Sequence, residues 1–466
     1  MSGSNDLLLS YYGDDFTGST DVMEALTRAG LRTVMFIAPP TAEQLRKYEG
    51  LRAVGLAGAS RTMSPERMDV ELAASLEKLA ALHTPIVHYK MCSTFDSSPQ
   101  VGSIGRAIDI GMRVFGEKGS RVTPLLVGAP ILGRYCAFGN LFARSGLDTE
   151  PCRLDRHPTM RHHPTTPMDE SDLRVHLGKQ TARKIGLFDV LALALPPEEA
   201  DARFASLLEA GHSIILFDVL YDEHLLTIGR LIWNQVNRDK SLFVVGSSGV
   251  EYAMTAHMKS RGLLPAPRPL GAEAAEKLVV VSGSCSPVTD RQIGWLLERG
   301  AREIPLKTER LVDPQHRQEE IESSVRQALG ILAGGHSVVL PSCRGPEDPR
   351  LAATVKRLEA MGQDAKLRSA EIIGCALGDI LLRILERSSS DGKLLRSAVT
   401  GGDTSTFVAK TMGIEALEML APLAPGAPLC TTHAPGTPVH GLEIVFKGGQ
   451  NGKTDFFGTL MNPGRT

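Results

Sequence analysis

Short apolar or β-branched runs recur along the chain, separated by longer stretches of helical period. In the first half the runs are RTVMFIA (32–38), LRAVGLAG (51–58), TPIVHYKM (84–91), VTPLLVGAP (122–130), DVLALAL (189–195), HSIILFD (212–218) and SLFVVGSS (241–248). Between them, SPERMDVELAASLEKLAALH (64–83) and EEADARFASLLEAGH (198–212) carry apolar residues three and four apart, the spacing that gives a helix one apolar face. Apolar runs bounded by turn formers read as strands buried on both sides, so strand, helix and strand in succession predict parallel sheets covered by helices. A second series begins at KLVVVSGSCS (277–286) and continues through HSVVLPSC (336–343), LRSAVTGGDTS (395–405), APLCTT (427–432) and LEIVFKGG (442–449). Between the series, SRGLLPAPRPLGAEAAEK (260–277) is proline-rich and then helix-forming, which predicts a linker around Leu264 to Ala272. The expected fold is therefore α/β, with two domains, 1–267 and 268–466, each a mainly parallel sheet flanked by helices, and a cleft between them. RLDRHPTMRHHPTTPMDESD (153–172) is the long irregular segment, and such loops inside compact domains tend to be functional or disordered.

At 466 residues the chain is too long for one ordinary core. Its net charge of -2 provides no overall field to attract nucleic acid or an anionic membrane, so an anionic ligand must be held by local groups. Seven cysteines without paired spacing imply free thiols and a reducing compartment, with the cytoplasm as the expected location. No apolar run approaches the ~18 residues of a membrane span, and the first residues lack the pattern of a signal peptide.

Chemistry gathers where strands are expected to end. LLLSYYGDDFTGSTD (7–21) places Asp14 and Asp15 between an apolar run and a helix, where one acid or Thr17 can cap the helix and the other is left for function. TPIVHYKM runs into CSTFDSS, putting Lys90, Ser93, Thr94 and Asp96 at a strand end, while Arg61 follows LAGAS and Arg134 follows VGAPILG. Cations beyond separate strands suit an anionic small molecule, arginine binding a carboxylate bidentately. The histidines of the irregular segment lack zinc-type spacing; no protein-bound metal is expected, and His162 and His163 read as loop residues near the substrate. In the second half VVVSGSCSPVTDRQI, AVTGGDTSTFVAKTMG and IVFKGGQNGKTDFF each offer small residues after a strand, with a helix following at least the first two. Such turns present main-chain N–H groups to a phosphate, with Asp403 available for a ribose hydroxyl or a metal and Lys447 as a point charge. GGQNGKT (448–454) falls one residue short of a P-loop and leaves no room for its helix, and SGSCS lacks the dinucleotide glycine spacing, which disfavours a nicotinamide enzyme.

GDDFTGSTD, YKMCSTFDSS with GSIG, GRYCAFGNLF, MRHHPTTPM, SGSCSPVTDRQ, TGGDTS and KGGQNG occur in the order and spacing of the four-carbon acid sugar kinases, and the chain resembles that family from Tyr11 to about Phe457. The resemblance implies a sugar-acid domain, a nucleotide domain, and ATP- and Mg²⁺-dependent phosphorylation of a terminal hydroxyl of an acid sugar. The 3-oxo-tetronates are the expected substrates, with 3-oxo-isoapionate and threonate or erythronate as alternatives. It implies substrate contacts from Asp14 or Asp15, Arg61, Lys90, Cys92, Ser93 and Thr94, to which the reading of the residues adds Arg134 and His163, and of the acid pair Asp15, with Asp14, is expected to serve catalysis. For ATP it implies Ser284, Gly401, Gly402, Asp403, Thr404 and Gly449. Cys92 stands where much of the family has an acid, and no arginine follows Thr94. Expected partners are the acid sugar, ATP and at most further copies of the chain; a non-catalytic sugar-acid sensor is the alternative from another class.

Overall fold

The computed structural model describes residues 7–116, 122–144, 149–163, 165–237, 239–388 and 395–464. Its strands, in chain order, are β1 (Leu9–Gly13), β2 (Thr33–Phe36), β3 (Ala53–Ala57), β4 (Ile86–Lys90), β5 (Thr123–Leu126), β6 (Arg134–Ala137), β7 (Asn140–Ala143), β8 (Cys152–Arg153), β9 (Ile185–Phe188), β10 (Ile214–Phe217), β11 (Leu242–Gly246), β12 (Lys277–Ser282), β13 (Arg302–Glu303), β14 (Val338–Pro341), β15 (Leu395–Thr400), β16 (Ala416–Ala424), β17 (Ala427–His433) and β18 (Glu443–Lys447). Two compact units divide at Pro267 and Arg268, except that Val34–Ala38 belongs with the second. The stretch expected as the first domain, 1–267, differs from the first unit by that segment.

In the first unit β3, β1, β4, β11, β5, β10 and β9 lie side by side, and every neighbouring pair is parallel. Their residues are buried almost throughout, as strands covered on both faces must be. Register aligns the strand ends: Gly13 pairs with Ala57 and with Lys90, and Gly246 with Lys90 and with Leu126. Because β3 lies on one side of β1 and β4 on the other, β1 marks a topological switch point, the place where parallel sheets of this kind bind ligands beyond their carboxyl ends. A small antiparallel sheet, β6, β7 and β8, completes the unit. The helix expected at 64–83 forms with a π turn at Met68–Leu72, preceded by Ser64 as cap. DVLALAL is not a strand. Asp189 accepts from the Ala192 amide and starts the helix Val190–Leu193, while the strand is the preceding β9.

In the second unit β13, β14, β12, β15 and β18 are parallel, and β17, β16 and β2 continue the sheet antiparallel. APLCTT is thus one arm of a hairpin whose turn holds Gly426 at φ 73°, a conformation that favours glycine. Residues 271–276 form no helix; Gly271 and Ala275 instead donate main-chain bonds to Leu420 and Met461. Register again aligns Ser282 with Thr400 and Pro341, and Thr400 with Lys447.

Arg396 on β15 is fully buried and serves as a knot in this unit. It donates to Glu443 on β18 (2.6 Å) and to the carbonyls of Leu460 (2.7 Å) and Glu273 (2.6 Å). Arg396→Met should lower unfolding free energy by about 3 kcal/mol, since it strands a carboxylate and two carbonyls. A urea titration that shows a loss below ~1 kcal/mol contradicts this account.

Candidate active site

Where β1 ends, the chain turns through Asp14 and Asp15 into the helix Phe16–Arg28. Asp15 is the helix cap: its carboxylate accepts from the Gly18 amide (2.8 Å) and the Thr17 hydroxyl (2.7 Å). The capping job falls to Asp15 and not to Asp14. Arg61, beyond β3, spans both acids, with Nη2 at 2.8 Å from Asp14 Oδ1 and Nη1 at 3.0 Å from Asp15 Oδ2. Asp14 also accepts from the Cys92 amide at 3.2 Å. Lys90, last residue of β4, is buried with Nζ 3.7 Å from Asp21 on the same helix. Gly18 makes this closeness feasible, because a Cβ there would sit 2.5 Å from Asp15 Oδ1 and 3.0 Å from Lys90 Nζ.

These charges separate the two acids. Burial pushes Asp14 upward, against the pull of Arg61 and with the help of the neighbouring Asp15 charge. Burial acts on Asp15 in the same sense, but Arg61 and Lys90, with the Thr17 and Gly18 hydrogen bonds, outweigh it and hold the carboxyl below its usual range. Lys90 is raised despite its burial, by Asp21, Asp14 and Asp15. Asp15 therefore remains an ionised acceptor at neutral pH.

The tight turn Cys92–Phe95 follows, closed by the Phe95 amide on the Cys92 carbonyl, with Phe95 at φ 59° and its ring wholly buried. Cys92 Sγ lies 3.0 Å from the Thr94 hydroxyl, which donates to Asp96 at 2.7 Å, and Ser93 is half-buried in the same turn. Burial, with the Asp96 charge, pushes the Cys92 thiol up to about 11, so it stays protonated. Arg134 enters from β6. Its Nη1 donates to the carbonyls of Leu132, Gly133 and Arg144, its buried Nε meets no acceptor among the described residues, and Cys92 and Asp96 act on its charge. Desolvation lowers this guanidinium, which marks it as a cation lacking a full anionic counterpart.

His163 is not brought to this group by any contact among the described residues; it accepts instead from the Thr166 amide (3.0 Å) in its own loop. The histidine beside the cluster is His157, buried, its Nδ1 accepting from the Thr159 and Met160 amides (both 3.2 Å) and its electrostatics coupled to Arg134 and Asp96. Residue composition gave no signal separating His157 from the neighbouring histidines. Asp21 could have been found from its place two turns along the helix that Asp15 caps.

In the second unit three neighbouring strand ends build a cradle from main chain. Gly283 follows β12, Gly401 follows β15 with φ 116°, and Gly449 lies just beyond β18. Cβ atoms at Gly283 and Gly401 would each stand 2.4 Å from Thr404 Oγ1, and one at Gly449 would stand 2.7 Å from Ser284 Oγ, so only glycine fits these places. Thr289 links two of the turns, accepting from Ser284 Oγ at 3.1 Å and donating to the Gly449 carbonyl at 3.0 Å. Helices start at Pro287, capped by Ser286, and at Gly402, so both point amide groups toward the strand ends. A cavity of about 410 Å³ opens here, lined by Gly283, Ser284, Cys285, Gly401, Gly402, Asp403, Thr404 and Gly449, with Leu351, Val355 and Ile373 as an apolar wall that sequence reading did not single out. The helix after the third turn, Phe456–Met461, spans only six residues, unlike that of a P-loop.

Lys447 is not an exposed point charge. It lies fully buried beneath the turn, Nζ donating to the Gly448 carbonyl (3.0 Å) and Thr289 Oγ1 (3.3 Å), 5.6 Å from the Phe456 ring centre.

A main-chain anion cradle with an apolar wall in one unit, and a charged bowl with an ionised acid in the other, are the parts of a small-molecule kinase. Comparison with known proteins gives the family. A model described as a sugar-binding N-terminal domain matches residues 9–254, and one described as a nucleotide-binding C-terminal domain matches residues 279–457. The 3-oxo-isoapionate kinase of Paraburkholderia graminis is 46% identical over 98% of this chain and 95% of its own length. The 3-oxo-tetronate kinase of Pseudomonas fluorescens is 31% identical over 97% and 96%. A crystal structure from Salmonella typhimurium LT2 shares the fold at a TM-score of 0.75, with 24% identity over 96% of this chain and 97% of that one. The chain belongs to the four-carbon acid sugar kinase family, and it is a phosphotransferase that uses ATP. Among the described residues no helix is long and apolar enough to cross a membrane.

Burial alone pulls Lys447 down to about 7. Between that value and the ordinary lysine range the unfolded chain holds a proton that the folded one has shed, so this residue makes stability rise as pH increases from 7 toward 10. The unfolding free energy of the native protein minus that of Lys447→Met should therefore rise by about 2 kcal/mol from pH 7 to pH 9. Parallel urea titrations at the two pH values check it; a difference independent of pH rejects the neutral buried lysine.

Proposed function

We propose that the protein phosphorylates a terminal hydroxyl of 3-oxo-isoapionate. The observation that carries this reading is 46% identity across nearly the whole chain to a 3-oxo-isoapionate kinase, against 31% or less to the 3-oxo-tetronate kinases it also resembles. Those several relatives keep 3-oxo-tetronate as the second reading.

The residues take roles that follow from their chemistry. Arg134 receives the substrate carboxylate, which supplies the anion its guanidinium lacks. Asp15, held ionised, accepts a hydrogen bond from the attacking hydroxyl and aligns it; in a loose phosphoryl-transfer transition state alignment counts for more than early deprotonation. Asp14 fixes Arg61, and Lys90 helps hold Asp15 ionised. Cys92, Ser93 and Thr94 offer small polar groups to the remaining hydroxyl and oxo functions, and His163 is at most an outer contact. In the second unit the amides around Gly283, Gly401, Gly402 and Gly449, with the Ser284 and Thr404 hydroxyls, cradle the phosphates of ATP. Leu351, Val355 and Ile373 form a wall suited to the adenine.

Among the described residues no group of three or more acidic, histidine or cysteine side chains forms a metal site. Among the described residues lining the cavity, Asp403 is the one carboxylate. This donor set fits Mg²⁺ carried in on the phosphates and steadied by Asp403. Bound there, the ion would neutralise phosphate charge.

Measured by coupled ADP release, kcat/KM for 3-oxo-isoapionate should exceed that for 3-oxo-tetronates, threonate and erythronate by about tenfold or more, a margin attainable from pocket contacts. Preference for a 3-oxo-tetronate rejects the substrate assignment. Asp15→Asn should lower kcat by ~10² to 10⁴-fold while the fold survives, since asparagine also caps a helix. An unchanged kcat removes Asp15 from the mechanism. Arg134→Met should act mainly on KM for the acid, and a normal KM excludes Arg134 as the carboxylate site.

A further inference from the structure

Beside the nucleotide cavity two neighbouring strand ends bring two thiols together. Cys285 is exposed in the first glycine turn, two residues before the helix Pro287–Leu297, and lines the cavity. Cys343 is buried two residues beyond β14, the strand next to β12. Parallel pairing of Ser282 with Pro341 carries both chains outward in step, and the Ser342 amide bonds back to the Ser282 carbonyl at 2.8 Å. As a result the Cys343 thiol points at Cys285 Sγ at 3.2 Å and at the Ser284 carbonyl at 3.5 Å. Nothing in nucleotide binding requires sulfur at either place.

We propose that Cys285 and Cys343 form an oxidation site at which a peroxide closes a disulfide and weakens nucleotide binding. The cavity's role in this statement rests on the nucleotide reading given above. Of the two thiols Cys285 is the one that ionises. The hydrogen bond donated by Cys343 draws it down to about 7 against its partial burial, and that same bond, with burial, holds Cys343 well above the ordinary thiol range. The Cys285 thiolate attacks one peroxide oxygen, giving a sulfenic acid and releasing hydroxide. Cys343 sulfur then displaces the sulfenic hydroxyl, its thiol proton leaving with that group as water. Overall two thiols and one hydrogen peroxide become one disulfide and two waters, the sulfurs giving up two electrons that reduce the peroxide bond. The buried partner sits ready as the resolving thiol, so the sulfenic acid is captured before further oxidation.

Closure matters for the cavity because the turn has no slack. Gly401 main chain already approaches Gly283 and Ser284, where a Cβ would meet the Gly283 carbonyl carbon at 3.2 Å and the Ser284 nitrogen at 3.3 Å. Drawing Cys285 toward β14 shifts the amides that face the phosphates.

The experiment uses the full chain, first reduced and then treated with hydrogen peroxide. Peptide mass spectrometry should find the Cys285 and Cys343 peptides joined, the chain lighter by about 2 Da, and full reversal by dithiothreitol. Titration with a fluorescent ATP analogue should show Kd about tenfold or more higher in the oxidised protein, a loss of the size expected from a displaced phosphate cradle. Cys343→Ser, or Cys343→Ala should the first fold poorly, should bind the analogue normally when reduced and form no such cross-link. No joined peptide overturns the inference at its chemical step. A joined peptide with unchanged Kd overturns its consequence while leaving the nucleotide reading intact, whereas a reduced protein that binds no analogue overturns the nucleotide reading and the gating together.

Discussion

Arg61 makes the first unit's charged bowl physically admissible. Asp14 and Asp15 are adjacent and largely removed from water, and at an effective dielectric near 20 two such charges ~4 Å apart repel by about 4 kcal/mol. A cation that reaches both carboxylates, backed by Lys90 on the next strand, turns this repulsion into a fixed arrangement. It also makes the acids unequal, the buried Asp14 rising and the capping Asp15 falling. Pairs of acids pushed apart in this way can take different tasks at one pH. The inequality arises from position: Asp15 gains two local donors because it starts a helix, whereas Asp14, one residue earlier, shares only Arg61 and a single main-chain amide.

The bowl nevertheless holds four acids, Asp14, Asp15, Asp21 and Asp96, against Arg61, Lys90 and Arg134. A sugar acid bound here, as proposed, would bring a further negative charge to this place. Under the proposed reading that charge would be received by Arg134, whose hydrogen-bond partners are neutral carbonyls and whose desolvated guanidinium is only partly offset by Asp96. A cation left in this condition costs stability until an anion arrives, so part of the carboxylate's binding free energy comes from relieving that cost. The second unit solves the anion problem without surface charge. Glycine turns and helix starts supply dipoles, and Lys447 beside them is buried, with burial pulling its proton affinity down to about 7. Fixed dipoles need no counterions and lose no side-chain entropy when phosphates bind.

Much of this could be read from the chain. Strand ends carry the chemistry because parallel strands finish at one edge, so GDDFTGSTD, YKMCST, SGSCS and TGGDTS were each recognisable as apolar run followed by functional turn. Register then aligns them, and register is set by pairings distant in sequence. Other features were illegible for definite reasons. Ala416–Ala424 is rich in alanine, leucine, methionine and glutamate, good helix formers, and becomes a strand because β2 and β17 flank it. DVLALAL has a strand's composition but begins with a residue that caps a helix. GAEAAEK has helical composition, yet its main chain is drawn off to Leu420 and Met461. His157 and His163 look alike in sequence; the difference is burial, which follows from where a loop of local contacts happens to pack.

Lys447 shows how composition misleads about a side chain's environment. A lysine after a strand and before two glycines reads as a phosphate ligand, but alternation in β18 points its side chain into the layer beneath the turn. There it holds the Gly448 carbonyl and Thr289, the threonine that ties the first and third turns. A charged ammonium in that position would demand solvation that the surrounding Phe456 ring and main chain do not supply, and its lowered proton affinity follows. Lysine suits the task for its reach and its donors more than for its charge. The cradle's geometry is therefore maintained from below by hydrogen bonds, leaving the upper surface to main-chain amides whose aim, if they hold phosphates as proposed, is fixed in advance, the preorganisation that phosphoryl transfer rewards.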